Sequence, residues 1–351
     1  MTQFIRQSLT AYATPLCETV AEVPEPVGSE VVVRIRRCGV CHSDVHLQDG
    51  YFVLGPDKNL DVTAGRNLPF TLGHEIAGLI EKVGPQAQGA GVGKEVAVFP
   101  WIGCGTCPAC ALGDENLCVA PRHLGVYVDG GFATHVRVPH PRYLLDYAPL
   151  PAALAAAYMC SGLTAYAALK RLTQHAARGP ALLVGLGGVG MMGLALARAI
   201  FPYPPIVAEI DPAKREAALK AGAAGAYDPA DPGARKAILA ATGGVFAACD
   251  FVGSDRSLQF ALGALAKGGK IVITGLIGGM YATPIAMFPL RAMTIEGTLV
   301  GRLDEAREML DLARAGKVPP VPIIERPLSA AQATLDDLRN GRIVGRVVLT
   351  T

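Results

Sequence analysis

The 351-residue sequence is most telling first for what it lacks. Its opening, MTQFIRQSLTAYATPLCETV, has no basic region followed by an apolar run and a small-residue cleavage site, so secretion is not expected. The Ala-rich stretch around PAALAAAYMC reads as too short and too weakly apolar to span a bilayer. A cytoplasmic protein with no membrane partner is therefore expected. No Lys/Arg run with interleaved aromatics occurs, so nucleic acid is not an expected partner. There is no internal repeat of roughly 20 to 50 residues and no low-complexity tail, which sets aside solenoids and disordered arms. The nine cysteines form an odd set that cannot pair fully within one chain, and thiols stay reduced in the cytoplasm. Disulfides are the weak reading.

What is present begins with length, because 351 residues exceed what one core usually organises and point to two domains. Up to about residue 160, β-branched runs such as VVVRIR and EVAVFP are broken by Gly and Pro, as in short strands and turns. After that, strands and helices alternate. ALLVG reads as a buried strand, GVGMMGLALARAI as a helix and PIVAEI as a second strand. DPAKREAALKAG reads as a helix with Asp211 as N-cap, Pro212 in its first turn and Gly222 at its stop. AACDFVG and GKIVITGLIG continue as strands around a helix near SLQFALGALAKG. This rhythm predicts an α/β fold with a doubly wound parallel sheet.

The stretch CGTCPACALGDENLC places Cys104, Cys107, Cys110 and Cys118 close together among turn residues. Four thiolates folded back on themselves suit tetrahedral zinc, and an iron–sulfur cluster or unligated thiols are the other readings. GLGGVG, between the apolar strand and the helix, puts Gly185, Gly187 and Gly190 at the three positions of a dinucleotide fingerprint, with Gly188 and Val189 completing the loop. Such a loop allows a tight turn, close approach of backbone to a pyrophosphate and close packing of helix on strand. Glu209, at the end of the next strand, can accept both ribose hydroxyls and would repel a 2′-phosphate, which favours NAD over NADP. Lys214 and Arg215 nearby weaken that preference, and the Pro-rich link FPYPPIV departs from a usual short turn. Finally, GVCHSDVH, LGHE and MCSGLTAY offer Cys41, His74 and Cys160, a Cys/His/Cys trio of the kind that leaves a catalytic zinc one open position. Their distance apart in sequence leaves convergence to the fold.

The motifs CGVCHSDVH, LPFTLGHEIAGLIEKVG, the four-cysteine loop, CSGLTAY, GLGGVG and GRVVLT occur in an order that resembles the zinc-dependent medium-chain alcohol dehydrogenases of the bacterial and archaeal tetrameric type. The resemblance covers nearly the whole chain. It implies a mainly β, GroES-like catalytic domain formed by residues 1 to 161 and 299 to 351, and a Rossmann NAD-binding domain over 162 to 298. It implies two zinc ions per chain: a catalytic one on Cys41, His74 and Cys160, and a structural one on Cys104, Cys107, Cys110 and Cys118. With both sites filled, the formal charge of +2 falls to about zero, since six ligating thiolates outweigh two dications.

By the same resemblance Glu75 is a carboxylate behind the catalytic zinc, Asp44 orients the His74 ring, Ser43 bonds the substrate oxygen and His46 stands at the solvent end of the proton relay. Arg346 matches an arginine on the cofactor pyrophosphate, and His42 a polar neighbour of the phosphates. Trp101, the only tryptophan, stands where the family's loop borders the substrate pocket, with core packing as the plain alternative. Tyr51 and Phe52 fall in a long loop before His74 and either line a cleft or pack on the surface; Leu276 and Val300 are further pocket candidates. The function implied is interconversion of medium-sized apolar or aromatic alcohols with aldehydes or ketones. A polyol or amino-alcohol substrate, or a silent zinc- and nucleotide-binding protein, are the other readings. A homo-oligomer, a tetramer by analogy, is also implied.

Overall fold

A computed structural model describes residues 3–351. Two sheets carry most of the architecture. In the first, of seven strands, Val31–Gly39 lies centrally, antiparallel to Glu75–Val83 on one side and to Arg346–Thr350 on the other. His135–Val138 also pairs with Val31–Gly39, while Glu95–Val98 and Leu144–Leu145 extend one edge and Ile323–Pro327 the other. The central strand alternates poorly because both its faces are covered: Val31, Val32, Val33 and Ile35 are all buried. A smaller three-stranded sheet, Cys17–Glu22, Gln3–Leu9 and Phe70–Thr71, lies beside it.

The second large sheet has six parallel strands. Across it run Gly225–Tyr227, Ile206–Ala208, Leu182–Val184, Val245–Asp250, Leu265–Ile273 and Thr294–Gly297. In chain order this is 3-2-1-4-5-6, so the direction of winding reverses between Leu182–Val184 and Val245–Asp250. Leu182 and Val184 pack to one face and Leu183 to the other, which is why so short an apolar run forms a central strand. The expected helices follow. Gly188–Ile200 starts at the glycine loop, and Pro212–Lys220 is capped by Asp211, whose carboxylate accepts from the Ala213 amide at 2.8 Å.

Two segments differ from the sequence reading. The stretch read as a loop before His74 contains a hairpin, Tyr51–Gly55 with Lys58–Asp61, turned at Asp57 in left-handed backbone (φ 55°). Its exposed residues and Asp-Lys-Asn tip hid the strand pattern. The Ala-rich stretch continues through a π turn, Tyr158–Gly162, into Leu163–Lys170. The resulting 19-residue helix is long and apolar enough to cross a membrane by length and composition. However, 89% of its apolar window is buried in the protein, and it packs on the first sheet, so the apolarity is accounted for by core packing.

Candidate active site and metal centres

Strand register assembles the first site. Gly39 pairs with Glu75 on one neighbour and with Val348 on the other, so Cys41, just past the strand's end, comes beside His74 and Glu75. A Cβ on Gly39 would lie 1.9 Å from Glu75 Oε2, so the close approach requires glycine there. Cys160 enters from the π turn, a distortion that re-aims a side chain without ending the helix. One donor atom from each of Cys41, His74, Glu75 and Cys160 lies within 4.8 Å of the others, and all four residues are buried. Cys41 and Cys160 Sγ are 3.9 Å apart, close to the roughly 3.8 Å edge of a tetrahedron with Zn–S bonds of about 2.3 Å.

Around this cluster the polar groups are arranged to hold it. Asp44 is fully buried; its Oδ2 accepts from the Cys41 amide at 2.9 Å and its Oδ1 from the Gly73 amide at 3.3 Å. The same Oδ1 lies 3.2 Å from His74 Nδ1, an ion-pair distance outside hydrogen-bond alignment, which leaves Nε2 as the ring nitrogen turned to Ser43 Oγ at 3.4 Å. Burial alone would lower the His74 pKa, but the Asp44 carboxylate outweighs it and the shift is upward. Glu75 accepts from the Ser161 amide at 3.3 Å and pairs with buried Arg346. Burial raises its pKa, against the pull of Arg346, to about 7.

The second cluster is built locally. Cys107 Sγ lies 3.6 Å from Cys110 and 3.7 Å from Cys118, and Cys104 lies 4.0 Å from Cys110. These are again tetrahedral edges, and all nine cysteines are free thiols, so the donor set fits a metal and no disulfide competes. The hydroxyl and amide of Thr106 bring the Cys104 pKa down to about 6, favouring the ligating thiolate. The Cys104 and Ala120 amides point at Cys118 Sγ from 3.2 and 3.3 Å.

The glycine loop opens the helix Gly188–Ile200 at the sheet's switch point, and Gly187, its N-cap, offers no side chain to the first amides. Gly185 adopts φ 86°, Gly187 faces open space, and a Cβ on Gly190 would lie 1.9 Å from Gly185 O. A Cβ on Gly188 would lie 2.6 Å from Arg346 Nη1, so Arg346 spans from Glu75 to this loop. Arg346 Nε is buried without a partner, so one guanidinium donor remains free to bond an anion. Glu209 accepts from the Leu186 amide at 2.6 Å and from the Asp211 amide at 3.0 Å, which fixes its carboxylate beside the loop. Arg215 is committed to Glu209 O, Ile210 O and, at 3.1 Å, the Asp228 carboxylate, leaving it occupied where a 2′-phosphate would need it. These residues fit a dinucleotide.

Against known sequences, residues 28–149 match the alcohol dehydrogenase GroES-like domain and residues 188–315 the zinc-binding dehydrogenase family. A NAD-dependent alcohol dehydrogenase of Saccharolobus solfataricus is 37% identical over 346 residues, 97% of this chain and 98% of its own. The chain belongs to the zinc-binding alcohol dehydrogenase family. Its relative from Sulfurisphaera tokodaii, also named a NAD-dependent alcohol dehydrogenase, is 37% identical over 334 residues, 93% of this chain and 94% of its own. Among solved structures, the alcohol dehydrogenase of Aeropyrum pernix superposes with TM-score 0.88 at 30% identity, covering 99% of this chain and 100% of its own. The D-arabinose dehydrogenase of Sulfolobus solfataricus reaches 0.85 at 25% identity, with both chains covered in full.

The remaining candidates of this dehydrogenase chain separate by burial. Trp101 is buried; its Nε1–H donates to Met159 O at 2.8 Å and its ring lies 5.3 Å from the His74 ring, so it packs the core and backs the metal cluster at once. His42 is exposed, 5.3 Å from His46, and the His46 ring lies 4.7 Å from Phe52. Tyr51 is 39% exposed and Leu276 52%, whereas Val300 is buried in left-handed backbone, φ 52°. Lys214 lies half-buried in the first turn of its helix.

Sequence reasoning missed three supporting groups. Gly39 looked like any strand-end glycine. Asp250, fully buried, accepts from the Val252 and Gly253 amides and the Ser257 hydroxyl, and so shapes the turn beside Gly185. Glu115, inside the cysteine lobe, accepts from the Gly103 amide, Tyr143 and Arg142. Only Asp250 carried a signal, as an acid ending an apolar strand.

Proposed function

We propose that this chain is a zinc-containing, NAD-dependent alcohol dehydrogenase acting on medium-sized apolar or aromatic alcohols and their aldehydes or ketones. The observation that carries this reading is the meeting of Cys41, His74 and Cys160 in one buried cluster, joined through Glu75 and Arg346 to the glycine loop. Bound zinc supplies a Lewis acid for the alcohol or carbonyl oxygen, and NAD a hydride acceptor. Cys41, His74 and Cys160 would hold the metal, while Asp44 accepts from the Cys41 amide and faces the His74 ring at ion-pair distance. Ser43 Oγ, 3.4 Å from His74 Nε2, stands where a substrate hydroxyl can pass it a proton. As Ser43 accepts that proton it would give up its own hydroxyl proton, which His46 would take toward solvent. Burial, and then the nearby His42, depress its pKa, so it is neutral and able to accept. Arg346, Gly185, Gly187, Gly188, Val189, Gly190 and Glu209 would orient the cofactor, with His42 and Lys214 as further candidates for its phosphate and ribose side.

The packing of Trp101 and Phe52 beside His74 and His46 supports an apolar substrate, since a hydroxyl-rich one needs buried polar partners of its own. Val300 and Leu276 complete the candidate wall, with Tyr51 at the hairpin's root. The separation of the strands into two large sheets supports a division into residues 1–161 with 299–351 and residues 162–298. Thr294–Gly297 is an edge strand, and exposed Ile277, Ile285 and Leu290 in the preceding segment support its burial against a second copy, with a tetramer as the fuller assembly. A cytoplasmic location agrees with nine unpaired thiols.

The test is NADH formation across primary, secondary, benzylic and polyol alcohols, repeated with NADP. Turnover of an apolar or benzylic alcohol with NAD is expected. A polyol or amino alcohol as best substrate would overturn the apolar assignment, and cofactor binding without any turnover in zinc-replete protein would overturn the enzyme reading.

A further inference from the structure

The cysteine lobe makes contacts that a purely local staple does not need. Asn116, inside it, is 4% exposed, and its Nδ2 donates 2.7 Å to Leu299 O, 183 residues along the chain, while its Oδ1 has no partner. A buried amide with one unsatisfied atom is costly, so its single long-range bond deserves a structural reason. Two residues beyond Val300, Arg302 reaches back to the same lobe. Its Nη1 is 2.9 Å from Asp114 Oδ1 and its Nη2 donates 3.1 Å to Leu112 O. Gly113 makes room for it: the backbone has φ 82°, and a Cβ there would lie 2.9 Å from Arg302 Nη2.

Between these two attachments lie Val300 and Gly301. Val300 holds φ 52°, a conformation β-branched residues seldom adopt and one that persists only when the surroundings impose it. Gly301 presses on Leu163, which would lie 2.7 Å from a Cβ there, just past the π turn that carries Cys160. The segment itself follows Thr294–Gly297 at the carboxyl end of the parallel sheet, where such folds bind the reactive part of a dinucleotide. We propose that the cysteine lobe is a positioning device for the candidate substrate wall at Val300: Asn116, Asp114 and Leu112 O clamp residues 299–302 and hold Val300 in its left-handed conformation. Asn116 and Arg302 are positioning residues, acting on Val300 through the backbone they hold. The kinetic part of this inference rests on the proposed dehydrogenase activity; its structural part does not.

The experiment compares Asn116→Ala in the wild-type and Val300→Gly backgrounds, reading amide hydrogen exchange at 299–302, zinc per chain and NADH formation. Glycine adopts positive φ without strain, so it no longer needs the clamp. The expected result is unchanged zinc content, exchange at 299–302 accelerated about tenfold or more, and kcat lowered about tenfold with little change in alcohol KM, in the wild-type background only. In the Val300→Gly background the further loss on adding Asn116→Ala falls below about twofold. Unchanged exchange at 299–302, or an equal penalty in both backgrounds, overturns the proposal. Should Asn116→Ala fail to fold, Arg302→Lys, which keeps a cation near Asp114 but gives up the fork to Leu112 O, is read the same way. Accelerated exchange in a protein without turnover would uphold the clamp and count against the dehydrogenase reading alone.

Discussion

The two cysteine-containing clusters differ in how their ligands are gathered. The lobe takes four thiols from one stretch of fifteen residues, three of them only half-buried, and needs little beyond local turns to close. The buried cluster draws Cys41, His74 and Cys160 from a strand end, a strand start and a π turn, and adds Glu75 held by Arg346. Four thiolates saturate a tetrahedral ion, whereas three protein ligands leave it a position for chemistry. In the proposed function this contrast divides a lobe that supports structure from a cluster that the whole fold assembles to act.

The largest expected effect tests the buried side. His74→Ala should lower NADH formation by about a thousandfold or more and remove one zinc per chain. Its melting temperature should change far less than that of a lobe variant. Conversely Cys107→Ser should empty the lobe and lower the melting temperature on the order of 5–10 °C, while soluble enzyme keeps turnover within about tenfold of wild type. A third variant lies outside both clusters. Glu209→Gln, leaving one acceptor for the Leu186 and Asp211 amides, should raise the KM for NAD about tenfold with alcohol KM unchanged, in initial-rate kinetics.

Smaller effects sharpen the same contrast. Trp101→Phe removes the donor to Met159 O and should cost about 1–3 kcal/mol in denaturant unfolding without loss of zinc. His46 has a folded pKa below the ordinary value near 6.5, so it stays neutral as pH falls through that value and the acid limb of NADH formation should lie below it. The same sign means that protons favour the unfolded chain as pH drops from 6.5 toward the lower folded pKa. His46→Gln should remove that limb and slow turnover about tenfold in a pH–rate profile.

What the sequence disclosed follows the same division. The lobe was legible because its ligands lie a few residues apart, and the glycine loop because strand, turn and helix are contiguous. Helix boundaries around Asp211 and Gly222 were likewise written in caps and stops. The Cys41, His74 and Cys160 site could be named by type alone; its closure depends on the pairing of Gly39 with Glu75 and on a π turn, neither of which has a local spacing rule. The hairpin after Tyr51 escaped because its strands lack an alternating apolar face, and the left-handed Val300 because β-branched residues ordinarily argue against such backbone.

The most direct test of two sites with two jobs is zinc per chain and NADH formation measured together in wild type, Cys41→Ser and Cys104→Ser. The account predicts two zinc ions in wild type and one in each variant, with turnover abolished in Cys41→Ser and lowered only about tenfold in folded Cys104→Ser. Equal loss of turnover in both folded, singly loaded variants would contradict it.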